Sequence, residues 1–148
     1  MIMVHHILET ARKRLAVLNR EASVCDAAGI LANPETPLVV VCDGSGTAVG
    51  VISRTDIIKP LARAGNAVFS LNAGAVMTAP VLSCRVEQTL QGVWTILNAQ
   101  SFRCAPILDD EGRPQGVVHA RDLALALLDE VTLEEELLRD YVLGIGYQ

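Results

Sequence analysis

Two short stretches of the sequence carry side chains that could bind a ligand, and they are copies of each other. Ser53 and Asp56 stand in the first stretch, and His119 and Asp122 occupy the matching places 66 positions later. Each Asp lies where a helix is predicted to begin. A carboxylate there accepts hydrogen bonds, either from a ligand or from the backbone N–H groups that an N-cap satisfies. The N–H groups of a helix N-terminus also attract anions. From the sequence alone, both the binding and the capping interpretation stay open.

Residues suited to catalysis or metal binding do not follow a known pattern. The 148-residue chain has no Gly-x-Ser-x-Gly, no Walker loop and no His-Glu-x-x-His. The four cysteines form no Cys-x-x-Cys pair and stand among apolar neighbours, so we expect reduced, buried thiols; they are Cys25, Cys42, Cys84 and Cys104. His5 and His6 are adjacent and are expected on the surface, although a metal or partner role for them stays open. We therefore expect a protein that is not an enzyme and requires no cofactor.

The internal repeat extends well beyond these two stretches. Between residues 43–56 and 109–122, five positions are identical without a gap. In the same register Ser23 falls on Thr89 and Val41 falls on Ile107. Each copy is predicted to run N-cap, amphipathic helix, strand, tight turn, strand and helix. Such a βαββα-like unit is too small to bury its own core, so two copies predict a pseudo-two-fold α/β (α+β) pair that shares one.

Composition narrows the class of protein. Hydrophobic residues make up 51% of the chain, enough for one well-buried domain or two closely packed subdomains. A net charge of -5 and 3% aromatic residues disfavour a nucleic-acid partner, because they leave neither a basic surface nor a stacking platform. No apolar run approaches the roughly 18–20 residues of a membrane span, and the first residues lack the charge order of a signal peptide. We expect a cytoplasmic protein with no membrane segment.

The pattern Asp-x-x-Gly-x-x-x-Gly-Val-Ile-Ser-x-x-Asp, doubled at this spacing, resembles the tandem CBS (cystathionine beta-synthase) domain. So do residues 76–81, which open the second copy, and residues 105–107 in its strand. The resemblance implies two βαββα CBS repeats related by a pseudo-two-fold axis, forming one Bateman-type module. The expected boundaries are a helical lead-in over 1–20, repeats over 15–65 and 74–130, and an amphipathic helix over 131–148.

The resemblance also implies a ligand. In CBS motifs that bind adenosine compounds, the second strand ends in Gly-h-x-Thr/Ser-x-x-Asp. There the carboxylate accepts hydrogen bonds from the ribose hydroxyls, and the hydroxyl three residues earlier contacts a phosphate. The first repeat matches in full, so Ser53 is the expected phosphate contact, Asp56 the ribose contact and Arg54 an added charge. Thr36, Pro37, Leu38 and Val39 are expected to border the base, and residues 15–18 to close the other side.

The second repeat departs from the signature at one position. Asp122 is retained, but His119 replaces the hydroxyl, and it could either donate to a phosphate or fill the cleft. Arg103 and Arg121 make the neighbourhood cationic, which favours a phosphorylated ligand. The expected far wall is Met77, Thr78, Ala79 and Pro80, with Cys104 and Ala105 near the base.

The C-terminal residues predict a further surface. Residues 132–135 form a capping-box signature, which predicts a separate final helix ending near Gly144. Its apolar stripe must pack against the repeats or against another chain; the stripe is Leu133, Leu137, Leu138, Tyr141 and Val142. Because CBS pairs commonly form flat dimers, the resemblance implies a homodimer.

The leading hypothesis is a stand-alone regulatory module that senses an adenosine-containing ligand, namely AMP, ADP, ATP, S-adenosylmethionine or NAD. Binding would shift a dimer interface or act on a partner enzyme or transporter. The alternative is a protein–protein interaction module whose clefts are vestigial and whose terminal helix is the working surface.

Overall fold

The computed structural model describes residues 1–146, and its helices and strands fall into two similar halves. The first half contains α1 (Leu8–Lys13), β1 (Val17–Asn19), α2 (Val24–Leu31), β2 (Val39–Cys42), β3 (Ala48–Ile52) and α3 (Arg54–Ala64). The second contains α4 (Ala73–Val76), α5 (Leu90–Ala99), β4 (Cys104–Leu108), β5 (Pro114–His119) and α6 (Ala120–Gly146). Short 3-10 helices, Val4–Ile7 and Gly65–Ser70, precede α1 and α4. The predicted mixed fold of two repeats is confirmed.

The sheets differ between the halves by one edge strand. In the first half β1 pairs parallel with β2, and β2 pairs antiparallel with β3. All four residues of β2 are buried, as its β-branched run predicts for a central strand. In the second half β4 and β5 form an antiparallel pair, and the place of the first strand is taken by a single bridge between Cys84 and Ile107. The second copy is therefore βαββα only in outline.

The same turn closes both hairpins. Asp43 Oδ1 accepts hydrogen bonds from the backbone N–H groups two and four residues later, at 2.9 and 3.1 Å. Asp109 Oδ1 does the same at 2.9 and 2.8 Å, and these bonds lower the pKa of the Asp109 carboxyl, the one from Arg113 most. Gly46 and Gly112 have φ of 83° and 79°, a conformation that glycine adopts without steric cost. The turns thus fix the register of the two hairpins, and with it the positions at which β3 and β5 lead into the following helices.

Helix capping follows the sequence in two places and departs from it in two. Ser23 accepts a hydrogen bond at the start of α2, and Thr89 does so at the start of α5, as predicted. However, α3 begins at Arg54 and α6 at Ala120. Asp56 and Asp122 are therefore third-position residues and not N-caps, although the Asp56 carboxylate still caps α3 by accepting from the N–H of Ser53.

Each half is completed by the segment that precedes the other half. The N–H of Val4 donates to the carbonyl of Gln88 at 2.8 Å, and the N–H of Ala73 donates to the carbonyl of Ala22 at 2.7 Å. Helix α1 packs on β5 of the second repeat. Residues 17–19 of the predicted helical lead-in are instead a strand, β1, which pairs with β2 of the first repeat. A further apolar cluster, which includes Val40 and Val117, joins the two halves at the centre.

Two glycines make room for the exchanged segments, which are the lead-in that carries Val4 and Ala11 and the linker that carries Ala73 and Thr78. A Cβ on Gly116 would lie 2.8 Å from the carbonyl carbon of Ala11, and a Cβ on Gly50 would lie 3.0 Å from the carbonyl oxygen of Thr78. The first distance is shorter than real Cβ contacts, and the second is tighter than nearly all of them. Gly50 and Gly116 are therefore repeated because the exchanged segment crosses the sheet directly over each of them.

The C-terminal helix and one cysteine differ from expectation. Helix α6 continues without a break from Ala120 to Gly146, so the separate start at Thr132 is wrong; residues 147 and 148 lie outside the described part. Cys25 is exposed, while Cys42 and Cys84 are buried, and all four cysteines are free thiols. Within residues 1–146, no helix combines the length and the apolar character that crossing a membrane requires.

A Cβ at the crossing should weaken the fold. We expect Gly116→Ala to lower the free energy of unfolding by about 1–3 kcal/mol, because the rigid backbone of α1 cannot move aside. Urea denaturation measures the difference. Gly29→Ala in α2 is the matched control, since nothing lies within 4 Å of its added Cβ; it should raise stability by roughly 0.5–1 kcal/mol. Equal stabilities for the two variants would contradict the close crossing.

Candidate ligand-binding groove

A groove of about 980 Å³ runs along the junction of the two halves. Its size lies at the upper end of the ~300–1,000 Å³ that small-molecule sites occupy. Both halves contribute to one continuous cavity. The residues predicted from the sequence that line it are Pro37, Leu38, Ser53, Arg54, Asp56, Thr78, Pro80, Arg103, Cys104, His119 and Arg121.

Residues 15–18 and six other predicted site residues do not line the groove; the six are Thr36, Val39, Met77, Ala79, Ala105 and Asp122. Val39 is fully buried in β2 and Ala105 is 2% exposed in β4, so both side chains face the core. The carbonyl of Thr36 accepts a hydrogen bond from Arg54 at 2.9 Å. Asp122 lies behind the side chain of Arg14. The structure thus separates the residues that can meet a ligand from those that only support the wall.

Asp56 is the best-positioned acceptor in the first half. Its Oδ2 accepts from the Ser53 N–H at 2.8 Å and from the Ser53 hydroxyl at 3.2 Å. Its Oδ1 accepts from the Thr78 hydroxyl at 2.9 Å. The carboxylate is therefore held in place by one backbone donor, while two side-chain hydroxyls occupy the positions that hydroxyls of a ligand could take.

Arg54 serves the loop more than the cavity. Its guanidinium donates to the carbonyl of Asn33 at 2.8 Å and to that of Thr36 at 2.9 Å. These carbonyls follow the end of α2, where backbone acceptors lack helical partners. Arg54 lines the groove, but its hydrogen bonds fix the wall that carries Pro37 and Leu38.

Arg14 and Asp122 form the most enclosed ion pair of the groove. Arg14 Nε donates to Asp122 Oδ2 at 2.8 Å, and Nη2 donates to Oδ1 at 3.1 Å. The two side chains are 17% and 15% exposed. A bidentate pair of this kind fixes both position and orientation. Arg14 lines the groove and Asp122 does not, so the guanidinium covers the carboxylate.

His119 occupies the position of Ser53 but uses its ring differently. Its Nδ1 accepts from the Arg121 N–H at 3.0 Å, which places the proton of the neutral ring on Nε2. Burial, followed by the charge of Arg14, lowers the pKa of His119 below its usual 6.5. Arg121 and Arg103 also lower this pKa, while Asp122 raises it. The imidazole is thus a neutral donor within a cationic surrounding.

Cys104 pairs with His119 across β4 and β5, which raises the question of a cysteine nucleophile. Burial raises the pKa of the Cys104 thiol to about 11. A thiol with that pKa stays protonated near neutral pH, and the thiolate is the reactive form. The pair therefore lacks an activated nucleophile. Within the described part of the chain, no group of three or more His, Cys, Asp or Glu side chains is placed to hold a metal ion.

Sequence reasoning assigned residues 15–18 of the lead-in segment to the site, but other residues of that segment line the groove. Thr10, Lys13 and Arg14 line the groove, as do Ser101 and Phe102 before β4. A signal for Arg14 was present: the 66-residue register places it opposite Pro80, which was assigned to the far wall. Applying the repeat to that wall would have identified Arg14 as a site residue.

The sequence matches the CBS domain family over residues 4–63 and 73–129, so the chain belongs to the CBS domain family. Among curated proteins it is 27% identical over 144 residues to an uncharacterised 17.7 kDa protein of Acidianus ambivalens, with 97% of this chain and 86% of the relative covered.

Solved structures show the same fold. A CBS-domain containing protein from Agrobacterium tumefaciens is 27% identical and superposes with a TM-score of 0.72, covering 84% of this chain and 97% of that one. The protein CBSX2 in complex with AMP is 26% identical with a TM-score of 0.73, covering 87% of this chain and 98% of that one. A further solved structure, the CBS-pair protein CBSX2 from Arabidopsis thaliana, is 25% identical to this chain.

The cationic surrounding of His119 can be tested by titration. We expect the pKa of His119 to lie below 6.5 in the wild type and to rise in Arg14→Gln, because the variant removes a positive charge and frees the carboxylate of Asp122. Histidine proton NMR measures both values, and His119→Gln assigns the signal. An unchanged or lower pKa in Arg14→Gln would contradict the assigned cause.

A lowered pKa has a consequence for stability. The unfolded chain binds a proton near pH 6.5 more readily than folded His119 does, so the neutral ring contributes stability above that pH. The contribution is lost as the pH falls through the folded-state pKa. His119→Gln should therefore lose less stability than the wild type between pH 7 and 5 in urea denaturation.

Proposed function

We propose that this protein is a regulatory module that binds an adenosine nucleotide such as AMP in the groove between its CBS repeats. The observation that carries the proposal is the Asp56 carboxylate at the groove, held by the Ser53 N–H and contacted by hydroxyls from Ser53 and Thr78. The complex of CBSX2 with AMP supports it, because that protein shares this fold at 26% identity.

A ribose would bind to Asp56 by exchanging one set of hydroxyl donors for another. The 2′ and 3′ hydroxyls replace those of Ser53 and Thr78 on the carboxylate, while the Ser53 N–H stays bonded. The freed Ser53 hydroxyl becomes available to a phosphate. Since the carboxylate already has its orientation, little ordering is needed on binding.

The charges along the groove favour a phosphorylated ligand. Lys13, Arg103 and Arg121 line it and are exposed, and the neutral His119 carries an N–H donor. Cations of this kind attract phosphate oxygens. AMP, ADP, ATP and NAD all carry phosphate, whereas S-adenosylmethionine does not, so S-adenosylmethionine fits this end of the groove less well.

Binding would regulate because the groove is shared by both halves. A ligand that contacts the lead-in segment and both repeats favours the arrangement in which they are closest. Such a ligand shifts a conformational equilibrium only by its difference in affinity for the two states. The regulated partner, an enzyme or a transporter, would respond to that shift; catalysis by the groove itself is not part of the proposal.

Loss of one carboxylate charge should weaken AMP binding. We expect Asp56→Asn to reduce affinity for AMP by about 10- to 100-fold, since hydrogen bonds to a charged group contribute about 1.5–3 kcal/mol. Isothermal titration calorimetry measures the affinity. In a thermal unfolding assay, wild type at 100 times the dissociation constant should gain about 2.7 kcal/mol.

The matched control is Asp26→Asn. Asp26 holds the third position of α2, as Asp56 does in α3, but it lies outside the groove. AMP affinity should be unchanged in this variant. If wild type fails to bind any of the five adenosine compounds at millimolar concentration, the sensor function is wrong.

A second candidate function is an interaction module, and α6 is the observation that favours it. Leu137, Leu138 and Tyr141 are 60%, 64% and 67% exposed. A helical segment without tertiary packing is only marginally stable in water. We propose that a second copy of this chain covers the stripe, because a two-fold contact brings the same apolar surface together from both subunits.

The homodimer has a distinctive dependence on salt. Acidic residues flank the stripe, so self-association brings like charges together; they are Asp129, Glu130, Glu134, Glu135, Glu136 and Asp140. Leu138→Glu should convert the dimer to a monomer in sedimentation equilibrium, and added salt should strengthen the wild-type dimer by screening. Ile58→Glu, 59% exposed on α3, is the control and should remain dimeric. A monomeric wild type would contradict this candidate.

A further inference from the structure

The two halves of the groove present their repeated carboxylates in different states. Asp56 lines the groove, and the hydroxyls on it are the kind of donor that a ribose supplies. Asp122 does not line the groove, and both of its oxygens accept from the guanidinium of Arg14. The residue that could bind a second ribose is therefore already occupied by the chain itself.

The Arg14–Asp122 pair is built into the exchanged segment. Arg14 follows α1, which the contact of Ala11 with Gly116 holds against β5. The backbone of Arg14 is therefore held beside β5, within reach of Asp122. In the first half the matching position is Pro80, which offers no charge to Asp56. The occupation of Asp122 by a cation, and not of Asp56, follows from this substitution within the repeat.

A ribose competes poorly with that arginine. The pair combines a full charge on each side with two hydrogen bonds, and its side chains are 17% and 15% exposed. Ribose hydroxyls can replace the two hydrogen bonds to the carboxylate, but they carry no positive charge and so cannot replace the ion pair. Displacing Arg14 would also leave its guanidinium partly buried without a partner.

We propose that the groove binds one nucleotide per chain, with its ribose on Asp56, and that Arg14 excludes a second nucleoside by occupying Asp122. The inference rests on the proposed function. The second half then acts as the receptor for the phosphate, through Lys13, Arg103, Arg121 and the N–H of His119. Arg14 is a specificity-determining residue that sets the number of ligands.

Calorimetric titration with AMP tests the stoichiometry directly. Wild type should bind one AMP per chain, and Asp56→Asn should reduce that affinity at least tenfold. Arg14→Gln should bind two AMP per chain, because Asp122 becomes free to accept from a second ribose. The double variant Arg14→Gln with Asp122→Asn should return to one. Circular dichroism establishes that each variant is folded.

Each outcome decides between the proposals. Two AMP per wild-type chain, or one AMP that Asp56→Asn does not weaken, would overturn the inference while leaving the sensor function standing. One AMP in Arg14→Gln would do the same, since Arg14 would then not be the obstacle. No binding to wild type would overturn both. If Arg14→Gln does not fold, Arg14→Lys takes its place, because a lysine cannot form the bidentate pair with Asp122; one AMP per chain in that variant would likewise overturn the role of Arg14.

Discussion

The structure depends on the crossing of each half by the segment that belongs to the other. Backbone hydrogen bonds from Val4 to Gln88 and from Ala73 to Ala22 complete each half with residues from outside it. The crossing requires glycine at positions 50 and 116, where a Cβ would meet the exchanged segment. Because neither unit buries its core alone, folding and groove formation are the same event, and the cavity is lined by both halves.

The local elements could be predicted because local chemistry sets them. The caps Ser23 and Thr89, the buried run of β2 and the two Asp–Gly turns all depend on residues a few positions apart. The packing of α1 on β5 could not be predicted from residues a few positions apart. Its own apolar spacing indicates a helix but says nothing about which repeat it contacts, and the exchange is visible only in the assembled chain.

The same limit explains which site residues were found. Ser53 and Asp56 lie three positions apart, so their hydrogen bonds are predictable from the motif. Arg14 and Asp122 are separated by 108 positions, and their pairing follows from the exchange. The motif alone made the two halves look alike. The exchanged segments make them differ, because one brings an arginine and the other brings a threonine and a proline.

Helix α6 connects the groove to residues far from it. It begins immediately after His119 and carries Asp122 in its first turn, and it continues as one rod over 27 residues. At 1.5 Å per residue its length is about 40 Å, so only its root touches the groove. A small tilt at that root becomes a displacement of several ångströms at the far tip.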